Sequence, residues 1–537
     1  MTNRKSTNWT SRDNAMLRQS LHRGATRRDL MKMMMAGGLT MSASGLILGS
    51  ATAAYAAEPT MGGMIRVAGA TSSTADTLDP AISSNSTDYS RICACYNRLT
   101  FLDTSGDPQM ELAESIESDN AKVWTINLRS GVTFHDGRTL SADDVVFSLA
   151  RHLDKAVGSK VNSIAAQMSE ITAVDPLTVQ ITLDAPNADL PVILSLHHFM
   201  IVADGTTDFS AGNGTGAFMV EEFTPGVRSV MLRNTNYFKD TGPYLDGFEF
   251  FAISDENARL NALVAGDVHL SSALNSRALR LLDATPGVTA DASNSGNYTN
   301  LNMRRDMNPG ESLDFVTGMK YLLNREQIEK SVMRGLAIAG NDQPVSPANR
   351  FHNAELAPKA FDPERARHHF EKAGLLGTEI PIVASDAATA SVDIATLVQQ
   401  AGSEIGMNFN VDRVPADGYW SNYWLKAPIH FGNINPRPTP DILFSLLYTS
   451  DAPWNESRFK SESFDTKLVE ARGELDFARR KEIYDEMQVM VSEDAGTAIP
   501  VYLSSLDGRS EQIGGLESNP LGGMMGYAFA EYIWLNT

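Results

Sequence analysis

The range Trp124–Leu149 constrains the fold of this chain more than any other segment. Apolar and polar residues alternate over Trp124–Leu128, and residues 132–134 resume the alternation after a turn. A period of two is typical of half-buried strands, so the segment predicts two short strands. The pair Asp136-Gly137 predicts the next turn, because glycine accepts the positive φ that many turns require.

A helix is predicted directly after that turn. Ser141 stands at its N-cap, where the hydroxyl can accept a hydrogen bond from a backbone N–H of the first turn. Asp143 and Asp144 place negative charge at the positive end of the helix dipole. The preceding pair His135-Asp136 is interpreted as part of the turn, because no third group is visible that would orient it as a catalytic dyad.

The N-terminus has the pattern of an export signal. Arg27-Arg28 precedes a weakly apolar run over residues 33–48, and Ala54-Tyr55-Ala56 offers small residues for cleavage. This pattern predicts a twin-arginine signal peptide over residues 1–56 and a soluble mature protein in the periplasm. The alternative is a membrane anchor, but the run is shorter than the ~20 residues that a spanning helix needs, and glycine and serine dilute it.

Length and charge limit the remaining possibilities. A chain of 537 residues exceeds the size at which single hydrophobic cores stop growing, so two or more lobes are expected. The first 56 residues contain eight basic and two acidic side chains, and the whole chain has a formal net charge of −20, so the remainder carries −26. Such an acidic body repels nucleic acid and anionic membranes. No nucleic-acid partner and no cofactor are expected, and we expect a monomer.

The cysteines and histidine pairs give weak signals for chemistry. Cys93 and Cys95 lie in a predicted helix, where residues two apart point to different sides, so free buried thiols are expected. A Cys-x-Cys redox or metal site is the alternative, but it has no partner cysteine and no nearby histidine. Within the pairs His197-His198 and His368-His369 the side chains diverge, and no metal site is predicted.

Several segments together resemble one protein family. The pattern W-x-x-x-L-R-x-G-V-x-F-H-D-G from Trp124, followed by A-x-D-V-x-x-S from Ala142, is similar to the signature of the family 5 extracellular solute-binding proteins. These are the peptide- and oligopeptide-binding components of ABC importers. The glycine-rich Gly212–Phe218 resembles a hairpin entry of the same family; a dinucleotide-binding loop would need a helix after it, and a strand is predicted there. Phe361–Gly374 resembles one of the family's helices, with Asp362 as a natural N-cap.

The resemblance implies the fold class and the domain organisation. It implies an α/β, two-lobe periplasmic binding protein fold of type II, of the large cluster with an extra subdomain in lobe I, whose interrupted domains are joined by a hinge. We expect lobe I over residues 57–300 and 498–537 and lobe II over residues 301–497, with crossing strands near Asn302 and Pro500. Independently, Ile380–Ala384, a helix over residues 393–404 and Phe409–Val414 predict a β-α-β unit and therefore a parallel sheet.

The ligand is expected in the cleft between the lobes. Its contacts are expected from a polar loop, from a crossing strand and from the aromatic final third of the chain. The candidate ligand-binding residues are Ser84, Asn85, Ser86, Tyr298, Asn300, Tyr419, Trp424, Asn433, Arg437, Asp451, Trp454 and Asn455.

One segment departs from the family's pattern. Peptide binders of this family carry an acid for the ligand's α-ammonium group soon after a Gly-Trp pattern, but here Asn433 follows Gly432 and the acid's place falls near Asn435 or Pro436. Arg437 adds a cation instead, and arginine favours carboxylate or phosphate. Two alternatives stay open for Arg437: it binds the ligand, or it forms a structural ion pair with Asp441. Asp451 could supply the missing acid from a nearby loop.

These features leave three functional classes open. The first is a solute-binding protein that delivers a peptide or peptide-like solute to ABC transporter permease subunits at the inner membrane, after export by the twin-arginine machinery. Its variant is a binding protein for a non-peptide solute, such as an opine, a sugar conjugate or another anion. The second is a sensory binding protein without import. The third is a periplasmic hydrolase, which the absence of the serine and metallohydrolase motifs makes the weakest.

Overall fold

The structure is a computed structural model, and it describes residues 59–519 and 522–536. The predicted signal peptide over residues 1–56 lies outside the described residues. Within the described ranges, no helix has both the length and the apolar character that crossing a bilayer would require.

Strands from almost the whole described chain contribute to the architecture. In chain order they are β1 (Met64–Gly69), β2 (Thr100–Leu102), β3 (Pro108–Met110), β4 (Ala113–Glu117), β5 (Val123–Leu128), β6 (Met168–Asp175), β7 (Thr178–Leu183), β8 (Phe218–Thr224), β9 (Arg228–Arg233), β10 (Gly247–Ala252), β11 (Leu270–Leu274), β12 (Val288–Met303), β13 (Ala337–Ala339), β14 (Glu379–Ala384), β15 (Asn408–Arg413), β16 (Ile429–Ile434), β17 (Thr497–Ser510), β18 (Ile513–Gly514) and β19 (Trp534–Leu535).

Helices cover the faces of the sheets. The longer helices are Ser86–Cys95, Ala142–Ala150, Glu256–Val264, Leu313–Leu322, Pro363–Lys372, Ser391–Glu404, Pro440–Leu447, Glu462–Gly473 and Phe477–Asp494. Shorter helices are Asn162–Ala165, Leu190–Ile193, Leu279–Ala284, Arg325–Gln327, Tyr419–Asn422 and Phe529–Tyr532.

One sheet runs through both lobes. Its order is β15-β14-β16-β12-β17-β11-β1-β10-β9-β8, and β13 pairs with β17 outside this order. We call β8, β9, β10, β1 and β11 the first half of the sheet and β16, β14 and β15 the second half. The long strands β12 and β17 pair from Val288↔Ser510 to Asn302↔Thr497 and join the two halves. Asn302 and Pro500, near which crossing strands were predicted, therefore lie on the two long strands that join the halves of the sheet.

The predicted β-α-β unit is also confirmed. β14 and β15 are parallel, and the helix Ser391–Glu404 connects them. On one face of the second half, the helices Leu313–Leu322, Pro363–Lys372 and Ser391–Glu404 pack an apolar core against the sheet. On the other face, a second core is built mainly by the helices Pro440–Leu447, Glu462–Gly473 and Phe477–Asp494. β16, which has a core on each face, is almost entirely buried, whereas β15 at the edge of the sheet is mostly exposed.

A separate four-stranded sheet, β4-β5-β7-β6, contains the strand predicted over Trp124–Leu128. The alternating residues of β5 bury Trp124, Ile126 and Leu128 as predicted. Residues 132–134 do not form a strand, because only one isolated bridge joins Thr133 to Thr139.

Ser141 is the N-cap residue of the helix Ala142–Ala150, as predicted, and it forms a capping box with Asp144, the third residue of the helix. The Ser141 N–H and hydroxyl both donate to the Asp144 carboxylate, at 2.8 and 2.9 Å.

The glycine-rich segment Gly212–Phe218 has a packing role. A Cβ at Gly214 would come within 2.1 Å of the Cys95 carbonyl oxygen, so only glycine permits this approach of two backbones. The same loop is hydrogen-bonded to the segment before the predicted turn at Asp136-Gly137, since the His135 N–H donates to the Gly214 oxygen at 2.8 Å.

Cys93 and Cys95 are free thiols, and burial raises the pKa of each to about 12.

Candidate functional site

The directions of the strands define a cleft. β1, β10 and β11 are mutually parallel in the first half, and β14, β15 and β16 are mutually parallel in the second half. β11 ends opposite Leu506 of β17, which faces Ala292 of β12, and β16 ends opposite Tyr298 of β12. The carboxyl ends of both sets therefore converge on residues 293–297 of β12. In open α/β sheets, ligands bind outside the carboxyl ends of the strands.

The predicted polar loop adjoins the carboxyl end of β1. The Ser86 hydroxyl lies 2.7 Å from the hydroxyl of Thr71, just beyond that strand. The Asn85 side-chain oxygen caps the helix Ser86–Cys95 by accepting from the backbone N–H groups of Thr87 and Asp88. Ser84 is exposed. The helix start thus presents two serine hydroxyls beside the cleft, while Asn85 holds the backbone there.

Asn433 and Arg437 lie at the carboxyl end of β16. The Asn433 side-chain oxygen accepts from the Thr299 hydroxyl at 3.2 Å and from the Thr389 N–H at 3.3 Å. Arg437 donates from Nη1 to the backbone oxygens of Asn435 and Pro436, at 3.2 and 3.0 Å. Burial lowers the pKa of the Arg437 guanidinium.

The suggested ion pair between Arg437 and Asp441 is wrong. Asp441 accepts instead from Arg472 Nε at 2.9 Å. No ion pair involves Arg437 among the described residues. Arg437 lies beside a cavity of about 40 Å³ that it shares with Arg350 and Gly296. A half-buried guanidinium without a carboxylate partner can therefore receive an anionic group.

Four of the predicted ligand contacts are structural side chains in this conformation. Tyr298 and Tyr419 are fully buried, and the Tyr419 hydroxyl donates to the Phe431 oxygen at 2.8 Å. Asn300 is also fully buried. The Asn455 amide donates to the backbone oxygens of Thr449 and Phe459 and folds its own loop. In this conformation the four side chains are enclosed by the protein and are not accessible to a solute.

Three tryptophans of the final third, Trp420, Trp424 and Trp454, form a partly exposed cluster, which we call the tryptophan cluster. The ring centroids of Trp424 lie 5.8 Å from Trp420 and 5.5 Å from Trp454, and both pairs are close to perpendicular. Trp420 is 42% exposed and Trp454 is 37% exposed. Asp451 is exposed on the same loop as Trp454.

Sequence reasoning missed the buried acid of this region, which is Glu456. It accepts from Trp424 Nε1 at 2.6 Å and from Asn300 Nδ2 at 2.6 Å. Burial raises the pKa of the Glu456 carboxyl to about 7, against the hydrogen bonds that lower it. The only sequence signal was its place in Trp454-Asn455-Glu456, which does not reveal burial.

Contacts between the lobes come from the region of the four-stranded sheet. The carboxylate of Asp189 pairs with Arg480, and both side chains are almost fully buried. The Ala188 N–H donates to the Arg472 oxygen at 2.7 Å. Arg350 Nη1 lies 3.0 Å from Asp107 Oδ1. A cavity of about 370 Å³ lies in the same interface, between Gln167 and Asp184 on one side and Asp441, Ser445 and Arg472 on the other.

Three histidines of the two pairs form hydrogen bonds with backbone oxygens or with a nearby acid. His197 Nε2 lies 3.1 Å from the Gly526 oxygen, and His198 Nε2 lies 3.1 Å from the Ser83 oxygen. His369 Nδ1 lies 2.8 Å from Asp314. Across residues 59–519 and 522–536, no group of three or more metal-ligating side chains could hold an ion.

Comparison with known proteins gives consistent matches. A model of the family described as bacterial extracellular solute-binding proteins, family 5 middle, matches residues 107–456. Heme-binding protein A of Haemophilus influenzae is 26% identical over 470 residues, covering 80% of this chain and 85% of that protein. The dipeptide-binding protein of Escherichia coli is 23% identical over 471 residues, covering 80% and 87%.

A solved structure matches the fold. The ABC transporter-associated periplasmic binding protein DppA from Helicobacter pylori, in complex with the peptide STSA, superposes with a TM-score of 0.70. It is 22% identical, and the match covers 89% of this chain and 99% of that one. This confirms the expected two-lobe α/β binding-protein fold.

Proposed function

Because the chain belongs to family 5 of the bacterial extracellular solute-binding proteins, we propose that it captures a peptide or peptide-like solute between its lobes and delivers it to the permease of an ABC transporter. The observation that carries this proposal is the convergence of six carboxyl strand ends on the middle of β12. Two lobes joined there by β12 and β17 can rotate about these strands and enclose a ligand.

The proposed lobes follow the crossing strands. Lobe I comprises residues 57–300 and 498–537, and lobe II comprises residues 301–497. In support, β12 pairs with β17 on the side of the first half and additionally with β16 on the side of the second half. A hinge at these two strands breaks few contacts, since the remaining strands belong to one half or the other.

The proposed location is the periplasm. Export through the twin-arginine machinery is supported by Arg27-Arg28 ahead of a weakly apolar run and by the small residues before Glu58. The solved structure that superposes on this chain is that of a periplasmic binding protein. Family membership supports a binding role over a catalytic one.

The proposed contacts are those candidate residues that remain accessible: Ser84, Ser86, Asn433, Arg437, Asp451, Trp424 and Trp454. Arg437 favours a ligand carboxylate, because it is half-buried and carries no acid partner among the described residues. The place of an amine-binding acid falls near Asn435 or Pro436, neither of which is an acid. The anchored group of the ligand is therefore proposed to be a carboxylate, which a peptide and a non-peptide anion share.

Native mass spectrometry of protein purified from its own periplasm tests this function. We expect a bound mass that fragments as a short peptide. A bound opine, sugar conjugate or other anion would favour the second candidate. The import role is tested by uptake of that solute in a strain that lacks the gene; unchanged uptake together with a changed sensory response would replace import by sensing.

A further inference from the structure

The carboxyl group of Glu456 lies beneath the tryptophan cluster. It is 4% exposed, and it contacts side chains that come from two distant parts of the chain: Asn300 on β12 and Trp424 after the helix Tyr419–Asn422. The Glu456 carboxylate lies directly against Gly432 of β16, where a Cβ would come within 1.9 Å of Glu456 Oε1. The acid therefore fills a space that the sheet leaves only because residue 432 is glycine.

The two contacts fix the indole of Trp424. The indole N–H is the single polar group of a tryptophan side chain. Its hydrogen bond to Glu456 has a length of 2.6 Å, which is short for a bond to an oxygen. The second carboxylate oxygen is held by Asn300, whose amide also donates to Asn302 Oδ1 at 3.1 Å. The orientation of the indole is thus tied to the central strand β12.

No cation neutralises Glu456 among the described residues, since no ion pair involves it. The ionisable groups that its charge influences are the buried phenols of Tyr298, Tyr419 and Tyr448. Burial raises the pKa of each phenol, and the Glu456 charge raises it further. Arg304 and Arg458 donate to the Leu425 backbone oxygen.

We propose that Glu456 is a positioning residue for ligand binding, which holds Trp424 and through it the tryptophan cluster in the orientation that meets the ligand. This rests on the proposed function, in which Trp424 and Trp454 form a wall of the cleft. A wall that is already ordered binds more tightly, because the ordering of rotatable side chains is not added to the cost of association. Trp424 transmits the effect to Trp454 through their perpendicular ring contact.

A double-mutant cycle between Glu456→Gln and Trp424→Phe tests the proposal. Glutamine keeps the shape of glutamate but replaces one acceptor by a donor, and phenylalanine keeps a ring but has no N–H. The probes are the dipeptide Ala-Phe, the tripeptide Ala-Ala-Phe and their C-terminal amides, titrated by calorimetry. Exposed Glu364→Gln is the matched control.

We expect Glu456→Gln to weaken the binding of a peptide probe about 3- to 10-fold. In the Trp424→Phe background the same change should have little further effect, because the hydrogen bond is already absent. Additive losses, or wild-type affinity in Glu456→Gln, would overturn the proposal and leave Glu456 as a structural acid.

The second readout is the indole N–H resonance of Trp424, assigned by its loss in Trp424→Phe. We expect it to shift with pH in wild-type protein and to be constant with pH in Glu456→Gln. If the wild type binds none of the probes, the peptide assignment fails. The resonance then decides the positioning role alone: a pH-independent signal overturns it, and a signal that titrates only when Glu456 is present supports it.

Discussion

Replacement of Arg480 by methionine should weaken ligand binding by about two orders of magnitude. Arg480 pairs with Asp189 across the interface between the region of the four-stranded sheet and lobe II. The side chains are 4% and 2% exposed, so the pair is withdrawn from water. Removal of one partner of such a pair typically costs ~3–5 kcal/mol, because it leaves an uncompensated buried charge.

This cost falls on the closed state of the protein. Because Asp189 pairs with Arg480 across this interface, we expect opening of the cleft to return its carboxylate to water and relieve the cost. Taking the lower limit, ~3 kcal/mol, closure becomes less favourable by about 150-fold, and the apparent affinity falls by the same factor. The loss of packing is small, because the methionine can still contact Phe351, whose ring centroid lies 4.9 Å from the Arg480 guanidinium carbon.

Calorimetric titration with the ligand identified by mass spectrometry measures the loss. The matched control is Arg479→Met on the same helix, where the arginine pairs with two exposed acids and should be worth less than ~1 kcal/mol. The double variant Arg480→Met with Asp189→Asn removes the orphaned charge and should recover most of the affinity. Wild-type affinity in Arg480→Met would refute the argument, and so would an equal loss in the control.

The remaining predictions concern export, the ligand anchor and pH. Lysine in place of Arg27 and Arg28 should leave precursor in the cytoplasm; an unchanged periplasmic yield would contradict twin-arginine export. Arg437→Met should weaken ligands with a carboxylate and spare neutral analogues, and Trp454→Ala should cost ~2 kcal/mol, about 30-fold. Calorimetry that finds wild-type affinity in both would remove these residues from the site. The free energy of unfolding should fall by up to about 3 kcal/mol as pH rises from 4.5, the ordinary pKa of glutamate, to about 7, because Glu456 stays protonated longer in the folded protein. Denaturant titrations of Glu456→Gln should show a flatter pH dependence, and equal slopes would contradict this origin.

Local signals in the sequence were sufficient for several regular elements, although not for the strand expected over residues 132–134. The alternation over Trp124–Leu128 and the β-α-β pattern ending at Val414 predicted strands that the structure contains. For these strands the information lies within about 35 neighbouring residues, and periodicity reports it directly. The crossing of the strand around Asn302 between the lobes was instead an expectation from the family resemblance.

The site was harder to predict because its contacts are not local. Tyr298 and Asn300 lie on a strand that is covered on both faces, and a sequence does not show that an alternating strand has a second core above it. Glu456 meets Asn300 across 156 positions of sequence. Arg437 and Asp441 are four residues apart, yet Asp441 binds Arg472 from a helix 31 positions later. Proximity in sequence indicated the wrong partner, and only the packing of that helix supplied the correct one.

The central claim, that two lobes close on a solute, is tested most directly by small-angle X-ray scattering of the mature protein with and without its identified ligand. We expect a smaller radius of gyration at saturation, because rotation about β12 and β17 brings the lobes together over the converging strand ends. The same titration of Arg480→Met should reach the compact state only at higher ligand concentration. An identical scattering curve with and without saturating ligand, at a concentration where calorimetry shows binding, would contradict closure of the cleft.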